Sequence, residues 1–506
     1  MTKPHRRVIV IGIDAMDQTL VERFIDCLPN IRRLSEEGIQ LQSASTFPPD
    51  TPTAWATVYT GLNPAHHGIL KFVDPLEKIS LMATGGYDNT SIKGRTFWDI
   101  AGANGKKVCV LFPHLGFPVW SVNGVMVGRS TDFYQKGDPI QVHPPEKDKM
   151  FDFTRLYPIK AAPKHKLYPR YIDAYRRLIT SEAEFGFKLM AENDWDILFT
   201  YSSALDWAGH NLWMFFDDKD PAYPGANQYQ GVFLEFYKMY DEIIGDFMER
   251  VDSDTTLLVL SDHGIRMRPY KLVNINEILK QMGLLTLSTE AREVLNPNNL
   301  LESAKRQFAN FINKHGVGPF FMKITHKMPA LRKIYTSPKT IHWEKTIAYT
   351  SDLSGIKAYS YGGIIVVRAL AGTRFDEIVD RIIHTLKELK DPESGEAIFK
   401  WICRREELYQ GEHVSKYPEI VYELRHDYGA GWAVNAPIFG KTLIHSIQSG
   451  SHRADTPIFY AYNLGGFEAE RASISLEDIA PSILDLLGVK TLAKFDGRSV
   501  FKKRLS

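Results

Sequence analysis

Four places in the 506-residue chain set a metal-ligating or nucleophilic side chain beside an apolar run or a helix start. Asp14 follows Val8-Ile9-Val10-Ile11-Gly12-Ile13, Asp206 and His210 follow the run Asp196 to Tyr201, and Asp262 and His263 follow the run Thr256 to Ser261. Carboxylates and imidazoles are the hard and borderline donors that Zn²⁺ or Mn²⁺ accepts. Asp206 and His210, four apart, share one face of a helical turn and can serve one ion. The fourth place is Phe47-Pro-Pro-Asp-Thr51-Pro52, where Thr51 as N-cap and Pro52 at the first helical position predict a helix running to about Gly61. A hydroxyl at that point sits where helix amides favour an anion such as phosphate. A neutral hydroxyl is a poor nucleophile, and a bound divalent ion can lower its pKa enough to supply an alkoxide at neutral pH. Each feature has a plainer reading: a turn Asp, a hydrogen-bonded core His, a helix cap. Three ligand-type clusters at three strand ends favour the chemical reading.

The elements that must position these residues follow from periodicity. Val8–Ile13 is continuous and β-branched, as in a strand buried on both faces of a parallel sheet. Similar runs recur at Lys107–Phe112, Asp196–Tyr201 and Thr256–Ser261, separated by helical patterning such as Phe233–Val251. Strands alternating with helices predict an α/β core, whose ligands gather at the carboxyl ends of its strands. From about Leu285 to Trp343 the strand rhythm lapses and the chain turns basic. Between Ser303 and Thr346 stand nine Lys or Arg and a single acid, Glu344. That segment is open to two readings, a solvated cap or a lid that steers an anionic substrate or rests on an anionic lipid surface. A smaller unit follows, with strands at Gly363–Arg368 and Ala397–Cys403 around a helix at Arg374–Leu389. The core resumes near Pro457–Tyr462 and closes with a helix from Ser475 to Leu487.

Composition bounds the function. With 44% hydrophobic and 24% charged residues the chain is an ordinary globular one, neither disordered nor fibrous. Lys plus Arg is 61 against 60 Asp plus Glu, so no global field draws it to a nucleic-acid polymer. Three scattered cysteines, Cys27, Cys109 and Cys403, make neither a disulfide framework nor a thiolate zinc site. No apolar run approaches the roughly 18 residues of a membrane span, and no signal-peptide pattern opens the chain, so a cytoplasmic location is expected.

The motifs together resemble the alkaline phosphatase superfamily, and most closely its type I phosphodiesterase/nucleotide pyrophosphatase branch with the related phosphohydrolases and phosphomutases. The matching stretches are Ile11-Gly-Ile-Asp14, Phe47-Pro-Pro-Asp-Thr51 through Gly68, Asp206-Trp-Ala-Gly-His210, Ser261-Asp-His-Gly264, Gly450-Ser-His452 and Asp478 through Gly488. The resemblance implies an alkaline-phosphatase-like α/β core, with a mainly parallel sheet flanked by helices, over 1–285 and 440–506. A basic helical insertion would occupy 286–345 and a small α+β insertion 346–439. It also implies two divalent ions, zinc with manganese as the alternative. One would be held by Asp206, His210 and His452, the other by Asp14, Asp262 and His263 with Thr51 as nucleophilic ligand. Only the resemblance selects His452.

Two departures bear on the transfer. The family pattern places an Asn amide on the phosphate close after the nucleophile, and the third position on is here Ala54. The backbone amides of Thr53 and Ala54 are the substitutes expected, and no marked preference for diesters over monoesters follows. Nor does Thr51 lie in the Cys/Ser-x-Pro-x-Arg pattern of sulfatases. The expectation is a metal-dependent hydrolase of a small-molecule phosphate ester or diester, working through a threonine nucleophile and a phosphothreonine. The alternatives are a phosphomutase or phosphotransferase on the same site, or a non-catalytic phosphate-ester binding protein. Oligomeric state is left open. The aromatics Trp207, Trp213, Phe215 and Phe216 read as packing, and His66-His67-Gly68 as a helix end.

Overall fold

The computed structural model describes residues 6–69, 89–130, 140–156, 167–192, 194–288, 341–351, 358–442, 445 and 448–504. The apolar run after the N-terminus forms strand β1 (Arg7–Ile13), buried from Val8 onward. It lies at the middle of an eight-stranded sheet with β2 (Ile39–Gln40), β3 (Val108–Leu111), β4 (Gly124–Arg129), β5 (Ile140–His143), β6 (Ile197–Ser202), β7 (Thr255–Leu260) and β14 (Phe459–Tyr462). The order across the sheet is β2-β14-β7-β1-β6-β3-β4-β5. The five central strands, β7 to β4, are parallel, while β14 and β5 run antiparallel beside them. This is the mainly parallel sheet that the uninterrupted apolar runs require, since strands covered on both faces carry no polar alternation.

Register places the chemistry. Ile13 stands opposite Ser202 and Gly12 opposite Leu260, so β1, β6 and β7 end together and Asp14, Asp206 and Asp262 leave the sheet at one edge. Four helices are central to the flanks. They are α1 (Thr51–Thr60), α2 (Tyr168–Glu192), α3 (Ala204–Phe216) and α4 (Val232–Arg250). Helix α1 packs through Trp55, fully buried, against β1 at Gly12. A Cβ on Gly12 would lie 2.6 Å from the Trp55 ring, so only glycine lets the helix approach this closely. Trp213, Phe215 and Phe216 are buried in the same core, with Phe216 against Phe24 and Phe233, which is the packing role expected of them.

The smaller unit is a four-stranded antiparallel sheet of β9 (Ala348–Thr350), β10 (Tyr361–Val366), β11 (Phe399–Arg404) and β12 (Ile420–Leu424), in the order β9-β10-β12-β11. Helix α5 (Phe375–Lys387) packs on it through Phe375, Ile378, Val379, Ile382 and Leu386, the recurrence of an amphipathic helix. Strand β13 (Gly450–Arg453) pairs with β8 (Gly264–Met267), setting His452 opposite Ile265. The closing helix α6 (Ile479–Leu486) follows a short helical turn whose cap is Ser475, with Asp478 returning the bond to the Ser475 amide. The basic insertion falls almost wholly on residues 289–340, which lie outside the described residues.

Candidate active site

At the shared edge of β1, β6 and β7 the chain gathers six side chains of a type that could hold metal ions, in two groups of three. Asp14, Asp262 and His263 form one group, and Asp206, His210 and His452 the other. Within each, the ligand atoms lie within 4.8 Å of one another. His263 Nε2 is 3.4 Å from Asp14 Oδ1 and 3.2 Å from Asp262 Oδ2. Asp206 Oδ1 is 3.4 Å from His210 Nε2 and 3.3 Å from His452 Nε2. The His263 and His452 rings stack at 3.9 Å, so the groups adjoin.

The three imidazoles are oriented alike. His210 Nδ1–H donates to the Gly450 carbonyl at 2.9 Å, His452 Nδ1–H to the Pro49 carbonyl at 2.7 Å, and His263 Nδ1–H to the Gly264 carbonyl at 3.1 Å. A carbonyl can only accept, so each ring spends its Nδ1 proton outward and turns Nε2 to the centre, as metal-ligating histidines do. His210 Nε2 and His452 Nε2 consequently face each other at 2.9 Å, which requires a proton or a cation between the lone pairs. The carboxylates show the complementary pattern. Asp14 Oδ2 accepts from the Tyr201 hydroxyl at 2.5 Å and Asp262 Oδ1 from the Ala15 amide at 3.3 Å. Asp14 Oδ1, Asp262 Oδ2 and Asp206 Oδ1 are buried without a hydrogen-bond donor. Buried oxygens left so are costly unless a cation serves them. This donor set, three carboxylates and three imidazole Nε2, fits two borderline divalent ions better than Ca²⁺, which takes oxygen alone.

Electrostatics points the same way. Burial, with Asp262 and Asp206 nearby, pushes the Asp14 carboxyl well above its ordinary range. Burial and Asp206 push Asp262 up to about 8. Burial also opposes the Asp206 charge, but His210 and His452 hold that carboxyl below the usual range. Burial draws His210 down to about 4 and His263 well below 6.5, and burial also opposes the His452 charge, but the facing Asp206 carboxylate raises it.

Thr51 stands at the rim, its Oγ1 3.2 Å from His263 Nε2. Asp50, not Thr51, occupies the cap position of α1, and Thr51 is the first helical residue with Pro52 after it. The Ala54 amide donates to the Asp50 carbonyl at 2.9 Å, a bond that closes the first helical turn. Ala54 therefore brings no free donor, a correction to its expected part in holding phosphate. The Thr53 amide has no acceptor among the described residues, and its hydroxyl is buried without a partner. His66 and His67 end a short helix, Pro64–His67, with His66 on Asp496 and His67 Nε2 on the Thr57 hydroxyl at 3.0 Å, and neither joins a ligand group. Tyr201, which holds Asp14, gave no sequence signal because it reads as one more apolar strand residue.

The sequence pattern described as type I phosphodiesterase / nucleotide pyrophosphatase matches residues 8–430. No curated protein sequence matches the chain. Among solved structures, phosphonoacetate hydrolase from Sinorhizobium meliloti 1021 in complex with phosphonoformate is similar at TM-score 0.56 and 14% identity, covering 96% of each chain. Murine ectonucleotide pyrophosphatase / phosphodiesterase 5, in an inactive form in complex with AMP, is similar at TM-score 0.50 and 14% identity, covering 97% of each. At these identities the likeness is one of fold. No helix among the described residues is long and apolar enough to cross a membrane.

Proposed function

The chain belongs to the type I phosphodiesterase / nucleotide pyrophosphatase family of the alkaline phosphatase superfamily, whose members are metal-dependent phosphoester hydrolases, and from that premise we propose that Thr51 is its nucleophile. In this reading the Thr51 hydroxyl loses its proton and Oγ1 attacks phosphorus in line. The ester oxygen departs with the bonding pair and is protonated, leaving a phosphothreonine. Water then attacks the same phosphorus and gives up a proton, the bond to Oγ1 breaks with its pair returning to Thr51, which is reprotonated, and phosphate is released, or a monoester when the substrate is a diester. Asp14, Asp262 and His263 would hold one divalent ion and Asp206, His210 and His452 a second, with zinc favoured and manganese the alternative. When bound, such ions lower the pKa of a hydroxyl or water and offset charge on the transferring phosphoryl group.

The chain's own contribution is placement. Helix α1 delivers Thr51 to the rim of the six ligands, and the Thr53 amide at the same helix start offers a donor for a phosphoryl oxygen. The observation that carries the proposal is the Thr51 Oγ1 to His263 Nε2 separation of 3.2 Å, which sets a hydroxyl directly against a ligand imidazole. Three unpaired cysteines suit the cytoplasmic location also proposed.

The test is a screen of metal-loaded protein against phosphomonoesters, nucleotide and lipid-headgroup diesters and phosphonates. It is coupled to an acid quench that traps labelled phosphate on the protein. Label recovered on Thr51, chased by unlabelled substrate, is the expected result. With Ala54 where an Asn amide would stand, monoester and matched nucleotide diester are expected within an order of magnitude of each other in kcat/KM. Turnover with no label on Thr51 at any quench time would remove the covalent route.

A further inference from the structure

Residues 47–50 lead into α1, and two of their carbonyls are held from elsewhere in the chain. Pro49 accepts from the ligand His452, and Phe47 accepts from the Tyr409 hydroxyl at 2.7 Å. Tyr409 belongs to the small α+β unit, just past β11, and is 362 residues away in sequence. It is buried at 2% exposure and stacked on Tyr417 at 3.8 Å, so its hydroxyl is fixed before it meets the loop. The Phe47 side chain enters the same unit, edge-on to Trp401 at 4.5 Å and to Tyr361 at 5.8 Å. Three residues stand between this anchored side chain and Thr51.

The far side of α1 is held by the same short segment. The His413 amide donates to the Ala65 carbonyl at 2.9 Å. Gly411, at φ +140°, lies so close to that carbonyl that a Cβ would come within 2.5 Å of it. Residues 409–413 thus grip the chain before α1 and the helical turn after it.

We propose that Tyr409 is a positioning residue for the nucleophile and that the small α+β unit is a clamp on the Thr51 helix. This rests on the reading of Thr51 as nucleophile. The chemistry needs Oγ1 near 3 Å from phosphorus and in line with the leaving oxygen, and small misplacements lower the rate steeply. Trp55, one turn along, holds the body of α1 against β1 at Gly12, and the chain entering the helix at Thr51 needs a constraint of its own. The two carbonyl anchors at Phe47 and Pro49 supply that constraint, one from a metal-ligating histidine and one from Tyr409.

The experiment compares wild type, Tyr409→Phe and Thr51→Ala as full-length, metal-loaded proteins, reading kcat, KM, metal content and melting temperature. Tyr409→Phe deletes one hydroxyl and keeps the stacking, so the fold stands. The expected result is kcat lower by about tenfold, with KM and metal content at wild-type values and phosphothreonine formation slowed to match. Gly411→Ala, pressing on Ala65 from the other side, should also lower kcat without loss of metal. Wild-type kcat in Tyr409→Phe, with or without a lowered melting temperature, overturns the clamp. So does a fall in activity that the loss of metal accounts for. Should Thr51→Ala turn over like wild type, the nucleophile assignment itself fails, and that outcome is distinct from an inactive Thr51→Ala beside a fully active Tyr409→Phe.

Discussion

The two groups of candidate metal ligands adjoin and differ in charge and setting. Asp14, Asp262 and His263 carry two carboxylates to one imidazole, and all three are at most 1% exposed, on strand ends of the rigid parallel sheet. Asp206, His210 and His452 carry one carboxylate to two imidazoles, from helix α3 and from β13, and lie nearer the surface. Without a cation the second group can neutralise itself, since Asp206 and a protonated His452 make a buried pair 3.3 Å apart. The first has no internal counter-charge and becomes neutral only by holding protons on its carboxyls, both driven upward, beside an imidazole driven toward the neutral form. A bound cation would replace those protons, so the ion-free first group is the more pH-dependent of the two. Thr51, which contacts His263, reaches for the group where positive charge is most needed.

The comparison breaks most directly at Thr51. Thr51→Ala is expected to lower turnover by at least about a thousandfold, as loss of a nucleophile that acts with its neighbours as a unit does. The fold should stand, since disturbing one helix start costs only about 1 kcal/mol. Steady-state kinetics beside a thermal melt decides it, and wild-type turnover would detach chemistry from the first group. Chelation comes next. Two divalent ions per chain are expected in active protein, and stripping them should abolish turnover. It should also lower the melting temperature, because a ligand at a thousandfold above its Kd stabilises the fold by about 4 kcal/mol. One ion per active chain would mean that only one group serves.

A pH series sharpens the contrast further. In the ion-free protein Asp14 and Asp262 have folded-state pKa values raised above the ordinary carboxyl range, Asp262 to about 8. The folded state then holds protons that the unfolded chain has released, so stability is full below about pH 4 and is lost as pH rises toward 8. Asp206, held low by its imidazole neighbours, contributes with the opposite sign and loses stability only on acidification. The expected outcome is a gap in melting temperature between metal-loaded and metal-free protein that widens from pH 5 to pH 8. It should narrow in Asp262→Asn and persist in Asp206→Asn. A gap independent of pH would mean that the first group is not the one under strain.

Much of the first group was legible from sequence because its ligands follow their strands directly. Val8–Ile13 and Thr256–Ser261 each read as buried strands, and Asp14, Asp262 and His263 are the next polar residues along. The second group was half legible. Asp206 and His210 show helical spacing, but His452 joins them only through the pairing of β13 with β8, a contact with no local signature. Resemblance found it and periodicity could not. Strand β5 and helix α2 were missed because a partly covered sheet edge and a helix rich in Tyr and Arg lack the uninterrupted apolar pattern, and β4 because its apolar run is only Val125-Met126-Val127 between two glycines. Thr51 was read one position off as a cap, since Thr before Pro suits either place and Asp50 competes for the first. Tyr201 and Tyr409 act through hydroxyls at the ends of side chains that otherwise only pack, so composition and spacing cannot single them out.

The smallest expected effect tests the contrast through that missed strand residue. The Tyr201 hydroxyl donates to Asp14 Oδ2 at 2.5 Å, which leaves Oδ1 as the oxygen facing His263. Carboxylate ligands are commonly fixed by such outer partners, and removing one costs about tenfold in metal affinity at the lower end of the usual range. Tyr201→Phe keeps the ring that packs edge-on against Trp55, so core packing is conserved. The substitution touches Asp14 and none of Asp206, His210 or His452. A metal titration of the stripped variant should therefore separate into two steps, that of the Asp14, Asp262 and His263 group shifted about tenfold and the other left at its wild-type value. A joint shift of both steps would show that the stacked His263 and His452 rings make the two groups one cooperative unit, and that their contrast in charge does not extend to binding.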